Sequence, residues 1–412
     1  MNRQLKIGWA KTDITPDRPV YVIGQLYSRI SSYVHDALTA TCLVLENGTE
    51  QMVMVSCDMA SVPIMHIDRI LKRLDCQGLD PAKVVFNATH THNATMFTAN
   101  TTYEVFFKSV LGDICPTLNE PDNILKDAEA EEWFIGKMVT LITDAWDARL
   151  PGGVSLAHDY AAVAFNRRPQ YFEDGQIISR MYGSCADASF LGFEGASDHA
   201  ADMLYTWDTA GHLTGTAVCI PCPSQVYELH SFLSADYWAE ARNAIRGALG
   251  NIFILPLCGA AGDQNPLDLV LLSKTNTEEL KIWNAQETEV HRHFDMLETC
   301  KDIGERISEA VVRGYRKARN RIETRPVFVT SVFTMDVALR CVAEADMIAA
   351  QKRIDLVKAK YTRPGSLPEA EMIRCFVDIG YINRWKLQNE TTRFIFPVYI
   401  FRLGRAVFAT NP

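Results

Sequence analysis

Apolar residues recur along this chain with two periods, and the alternation between them outlines the fold. Five runs are continuously apolar: Val53 to Cys57, Val84 to Phe86, Thr216 to Cys219, Ile252 to Leu255 and Phe394 to Leu403. Such runs read as strands covered on both faces. After the last of them come Gly404 and then Ala406 to Ala409, which predicts a hairpin turning at the glycine. Elsewhere apolar residues are spaced at three and four, as in Trp133, Met138, Ile142 and Ala145, in Trp238, Ala241 and Ile245, and in Ile303, Ile307, Ala310 and Val311. These stretches predict amphipathic helices, the second capped by Ser234 or Asp236. Short strands alternating with longer helices indicate an α/β layer architecture. Between Asn100 and Asp127 the prolines Pro116 and Pro121 and many polar residues predict a long irregular excursion. No repeat or low-complexity linker divides the chain, so 1–412 is expected to form one domain.

Composition narrows the function. With 412 residues, 48% hydrophobic and 22% charged, the chain has the make-up of a packed globular protein. Lys and Arg total 41 against 50 Asp and Glu, a net charge of −9. That balance provides no basic field to displace counterions from a phosphate backbone, so nucleic acid is not an expected partner. No apolar run approaches the roughly 18 residues of a membrane-spanning helix. The N-terminus enters strand-like sequence without the pattern of a secretory signal, which points to the cytoplasm. The eleven cysteines lack the dense spacing of a disulfide scaffold and are expected to be reduced thiols.

Three segments that follow predicted strands carry candidate chemistry. In Asn87-Ala-Thr-His-Thr-His-Asn93 an extended backbone would put His90 and His92 on one side, where both imidazoles can meet one ion or substrate; the alternative is a pair of structural loop histidines. His291 and His293 have the same spacing but lie in a charged stretch expected to be helical, where residues two apart diverge. Cys219-Ile-Pro-Cys222 has half the thiolates of a zinc site and no partner motif, and it lacks the setting of a redox pair. In Cys258-Gly-Ala-Ala-Gly-Asp263-Gln-Asn-Pro266 small residues would let backbone approach a ligand, with Asp263 either in the site or capping the turn. No Lys-Ser/Thr follows the glycines, so this is not a phosphate loop.

These segments, with Thr12-Asp-Ile-Thr-Pro16, Gly24-Gln25, Arg29, Val55 to Ala60, Asn166 to Pro169 and Ser234 to Asp236 in the same order, resemble the catalytic domain of the neutral/alkaline non-lysosomal ceramidase family. The resemblance implies an α/β fold with a large central mixed sheet flanked by helices. It also implies hydrolysis of an amide bond at a zinc ion held by two histidines, a glutamate and a tyrosine, with a serine nucleophile. On this resemblance His90 is a zinc ligand, while His92 and Arg167 line the site. Cys222 stands where the family has its second zinc histidine, with His230 eight residues later, and Asn265 stands where the serine is expected. Leu403 to Pro412 resembles the strand that leads into the glutamate ligand, so the family's last metal-ligand segments would lie beyond it.

Three functions follow. In the first the chain is a zinc-dependent amide hydrolase acting on a small molecule, a lipid amide or a polar conjugate. Its metal-bound water replaces serine, His90 and Cys222 or His230 are ligands, and His92, Arg167 and Asp263 orient substrate and move protons. In the second it is a metal-independent enzyme for a carbohydrate or other polar substrate. Asp58, His92 and Asp263 then supply acid and base, and Gln225, Glu228 and Arg167 bind hydroxyls. In the third it is a catalytically silent binding scaffold.

Overall fold

The computed structural model describes residues 3–98, 102–116, 119–274, 281–283, 289–291 and 296–410. Its centre is an eight-stranded mixed sheet built from β1 (Lys6–Asp13), β2 (Thr39–Glu46), β3 (Gln51–Cys57), β4 (Val84–Ala88), β5 (Leu150–Tyr160), β6 (Ala200–Asp208), β7 (Leu213–Ile220) and β8 (Phe253–Cys258). The strand order is β8-β7-β6-β5-β1-β2-β3-β4. All neighbours are antiparallel except the two outermost pairs, β3 with β4 and β7 with β8, which are parallel. The sheet bends until its two end strands meet, Asn87 of β4 bonding through its side chain to the backbone N and O of Cys258 in β8 (3.2 and 3.4 Å).

Bending creates an inner and an outer face on every strand. Leu43, Leu45, Met52 and Met54 pack inside against Leu204, Ala217 and Leu255. Alternate residues Cys42, Val44, Val53 and Val55 face outward onto a helix at Asp127–Asp147, whose Phe134, Met138 and Ile142 cover them. On the opposite half Met203, Tyr205, Val218 and Ile254 are covered by helices Tyr237–Leu249 and Met296–Ala318. The result is four layers, helix, strand, strand, helix. This explains why β2 and β3 are apolar at nearly every position: neither face meets water. Helix and sheet approach so closely at Gly8 that a Cβ there would lie 1.9 Å from the carbonyl oxygen of Ala145. Across the inner layer Trp9 stacks on Phe253 at 5.5 Å and donates its indole N–H to Thr206 (2.9 Å).

Several expectations need correction. Phe394 to Leu403 is a strand, within Arg393–Leu403, and turns at Gly404 into Ala406–Ala409 as expected. It is not covered on both faces. It belongs to a separate three-stranded sheet with Phe328–Ala338, and no helix covers its first half, leaving Phe394 and Ile395 exposed. The excursion after Asn100 contains a helix, Thr102–Leu111, whose Phe107 and Leu111 enter a small helical cluster with Ile354, Met372 and Ile379. His291 lies in a short strand, Glu289–His291, rather than a helix, and His293 lies outside the described residues. No disulfide joins any of the eleven cysteines. Among the described residues no helix is long and apolar enough to cross a membrane.

Candidate functional site

Parallel strands deliver their following loops to one end of a sheet. Here two parallel pairs do so, and the loops after β3, β4, β7 and β8 are tied together. Ser224 donates its backbone N–H and hydroxyl to the carbonyl of Thr89 (3.3 and 2.9 Å) and accepts the N–H of His92 (3.2 Å). Asn93 donates to the carbonyls of His230 and Phe232. The buried guanidinium of Arg29 donates to the carbonyls of Ile23 (3.0 Å), His92 (2.6 Å) and His230, locking three segments at once. Asp236 caps the helix Tyr237–Leu249 from a left-handed backbone (φ 57°), accepting N–H groups of Tyr237 and Tyr227. Its burial pushes the carboxyl pKa up to about 6. Ser234, the alternative cap, bonds Asp36 instead.

Into this frame projects a continuous hydrogen-bonded chain of side chains. Gln25 donates to Glu228 (3.1 Å), and Nδ1 of His92 lies 3.3 Å from the same carboxylate oxygen. The amide nitrogen of Gln225 lies 2.5 Å from Nε2 and 3.3 Å from Nδ1 of His92, so it contacts both ring nitrogens. Asn265 donates one N–H to Oε1 of Gln225 (2.8 Å) and the other to the hydroxyl of Tyr182 (3.0 Å). Arg167 donates to Tyr182 (3.3 Å) and to the carbonyl of Gly262 (2.8 Å). A two-residue strand pair, Phe165–Asn166 with Gln264–Asn265, brings Arg167 and Asn265 together. Gly24 completes the seat of His92. Its φ of +120° disfavours any side chain, and a Cβ there would sit 2.3 Å from the imidazole Cγ.

His90 stands at the rim. Its ring is 5.1 Å from that of His92, but not because the backbone is extended: β4 ends at Ala88 and His90 has φ 60°. Nδ1 of His90 pairs with the carbonyl of Ala60 (2.6 Å), so the ring proton sits there and the Nε2 lone pair is left for a ligand. Desolvation, helped by the neighbouring His92 and the Arg167 cation, lowers the His90 pKa to about 4, and the ring is neutral at pH 7. Desolvation also raises the Tyr182 hydroxyl, with the Glu228 carboxylate next in weight.

The structure therefore joins His92, Gln225, Glu228, Asn265 and Arg167 in one network and sets His90 beside it. It does not bring the other candidates in. Asp58 is fully buried in a two-pronged ion pair with Arg242 (2.7 and 2.9 Å) and also accepts the N–H of Thr39, so it has no access to a substrate. Asp263 spends its carboxylate oxygens on the amides of Asn166 and Gln264 (both 2.8 Å) and its carbonyl on the N–H of Arg167, which makes it a positioning residue. Cys222 is a core side chain, its thiol turned toward the carbonyls of Val163 and Pro223. Burial drives its pKa far up, whereas a metal ligand must be thiolate. The ring of His230 stacks on Phe232 at 4.9 Å. Among the described residues no three His, Cys, Asp or Glu side chains gather as a metal site. Of the candidate ligands His90 alone stands beside the network, with Cys222 in the core and His230 on Phe232. Gln25 and Tyr182 join the network without being candidates from the sequence: Gln25 falls in the Gly24-Gln25 motif with no chemical role, and nothing in the sequence marks Tyr182.

No protein-family model matches this chain, and no curated protein matches it. Among solved structures it is similar to neutral ceramidase from Pseudomonas aeruginosa, with a TM-score of 0.62 and 15% identity over 99% of this chain and 62% of that one. A structure titled ceramidase complexed with C2 matches equally, with a TM-score of 0.62 and 16% identity over 99% and 63% of the two chains. The chain thus spans less than two-thirds of either. What it shares with them is the fold, a large mixed sheet flanked by helices as the motifs implied.

Proposed function

We infer that this chain is a hydrolase of amide or related acyl bonds, acting on a small molecule at the open side of the network. The observation that supports this is the chain of hydrogen bonds from His92 through Gln225, Asn265 and Tyr182 to Arg167, with Glu228 3.3 Å from the His92 ring, set in a ceramidase-like fold. Asn265 is 2% exposed, its two N–H groups are engaged and its Oδ1 accepts the N–H of Leu267, so it positions Tyr182 and Gln225 and attacks nothing. Water is then the nucleophile. Nε2 of His90, neutral, takes the water proton as oxygen bonds to the acyl carbon, and returns it to the departing amine or alcohol as the C–N or C–O bond breaks. The second N–H on each Nη of Arg167, beyond those given to Tyr182 and Gly262, stabilises the oxyanion as it forms. His92 is held rigid by Glu228 and Gln225 and supports the wall on which these groups sit.

A second reading keeps zinc. An imidazole whose Nδ1–H is anchored on a carbonyl and whose Nε2 is free is the usual state of a metal-ligating histidine, and His90 has that form. One experiment separates the two. Activity on a panel of N-acyl and ester chromogens is measured after chelation and after zinc addition, for the parent, His90→Ala and Arg167→Ala. The water mechanism expects chelator-insensitive turnover that drops roughly 100-fold or more in both variants. Turnover that appears only with zinc and vanishes in His90→Ala selects the second reading. Absence of turnover under every condition refutes the hydrolase assignment, and full activity in both variants refutes the roles given to His90 and Arg167.

A further inference from the structure

Beside the polar network runs an aromatic wall that the hydrolase reading does not use. The loop that supplies Glu228 continues through Leu229 and His230, both exposed, to Phe232, which is 5% exposed. The His230 ring lies nearly parallel to Phe232 (15°, centroids 4.9 Å), so one of its faces is backed by a buried ring and the other is open. Tyr33, 56% exposed, leans on the same Phe232 at 5.3 Å, and His35 and Tyr227 close around it at 4.9 and 5.2 Å. The wall is fixed in place. Ser32 donates its N–H to the carbonyl of Ser231 and Leu233 donates to that of Tyr33, while Arg29 and Asn93 hold the carbonyl of His230. Arg29 also holds the carbonyl of His92, so wall and network share one clamp.

We propose that His230 and Tyr33, backed by Phe232, form a stacking subsite for a pyranose ring, and that the substrate of the adjacent site is a sugar carrying the scissile acyl bond. This rests on the hydrolase reading for the bond that is cleaved, not for the subsite itself. The argument is chemical. A sugar has two surfaces, a C–H face that packs on an aromatic ring and an edge of hydroxyls that needs paired donors and acceptors. Here a rigid, half-open aromatic face adjoins the half-buried Glu228 and Gln25, a carboxylate and a planar amide that can each meet a hydroxyl. An alkyl chain would strip water from the carboxylate and offer no hydroxyl in its place, which is costly. The stacking role also accounts for His230 facing an aromatic partner rather than other metal donors.

Saturation-transfer NMR and calorimetry on the full chain test the subsite, with N-acetyl-D-glucosamine as the sugar probe and N-butylacetamide as the alkyl probe. The sugar is expected to bind more tightly than the alkyl amide. In His230→Ala its affinity falls roughly tenfold, the worth of one aromatic contact, while His230→Phe, which keeps the flat face, stays within about twofold of the parent. Tyr33→Ala, a surface change, provides a second weakening variant should His230→Ala lower the unfolding midpoint. Failure of the sugar to bind, undiminished sugar binding in both alanine variants, or tighter binding of the alkyl amide overturns the proposal. The two readings fail separately: turnover of alkyl amides without sugar binding sinks only the subsite, and sugar binding without turnover of any acyl bond sinks only the hydrolase.

Discussion

Asp58 offers the sharpest test of whether this structure assigns its carboxylates correctly. The sequence made it a candidate acid or base, but the fold buries it completely against Arg242, itself 4% exposed. Its two oxygens accept both Nη groups, at 2.7 and 2.9 Å, and one of them also accepts the backbone N–H of Thr39 at 2.8 Å. Asp58→Ala removes all three bonds and leaves an uncompensated guanidinium out of water. Breaking one side of a buried pair costs about 3–5 kcal/mol, a large share of the roughly 5–15 kcal/mol that holds a folded domain together. Urea unfolding followed by tryptophan fluorescence should show the midpoint falling with the slope unchanged. The double variant Asp58→Leu with Arg242→Met should recover most of the loss, because two apolar groups do not carry the desolvation penalty. A single variant that loses less than about 1 kcal/mol yet abolishes activity would refute this account and return Asp58 to the chemistry.

Three further outcomes follow from the site. Gly24→Ala forces a Cβ against the His92 ring at 2.3 Å from a left-handed backbone; it should destabilise the chain by at least about 1–3 kcal/mol and shift the His92 resonances in a heteronuclear NMR spectrum. The folded-state pKa of His90 is lowered, so the unfolded chain binds more protons between its ordinary value near 6.5 and about 4; the parent should lose stability as pH falls through that window, and His90→Gln should flatten this part of the pH profile in thermal melts. Native protein treated with an alkylating reagent should react first at exposed Cys341 and leave Cys222 unmodified by mass spectrometry until it unfolds.

The backbone was more legible in the sequence than the site. Continuous apolar runs found β3, β4, β7 and β8 because the two-sided cover leaves no polar position to interrupt them. The same rule misread Phe394 to Leu403, where strands of an outlying sheet are apolar without being covered. Helix period located the three helices of the outer layers but passed over Thr102–Leu111, whose buried residues Phe107 and Leu111 meet a partner from the far end of the chain. At the site, motif residues close in sequence to strand ends were found. Tyr182 was not, because what places it is a backbone bond from its own N–H to the carbonyl of Arg167 (2.8 Å) and a φ of 58°, neither of which leaves a periodic trace.

Cys222 and Asn265, where the motif resemblance leads one to expect a zinc histidine and a serine, share one physical character. Each side chain is buried, and each has become structural: Cys222 fills the outer core under Trp238 and Tyr237, whose hydroxyl bonds the Cys222 carbonyl, while Asn265 has no unused hydrogen-bonding group. Serine at 265 has a single O–H and a shorter reach, so it could not satisfy both Oε1 of Gln225 and the hydroxyl of Tyr182, and the amide of Gln225 would lose the contact that orients it toward His92. Restoring the serine alone therefore breaks the chain that sets His92 before it can supply a nucleophile. The groups that remain free to act are Nε2 of His90 and the second N–H on each Nη of Arg167, with the hydroxyl of Tyr182 bridging Arg167 to the chain, whereas Nε of Arg167 is buried. On the hydrolase proposal the reacting groups therefore sit at the rim, where the polar network meets the aromatic wall, and not at buried Asn265.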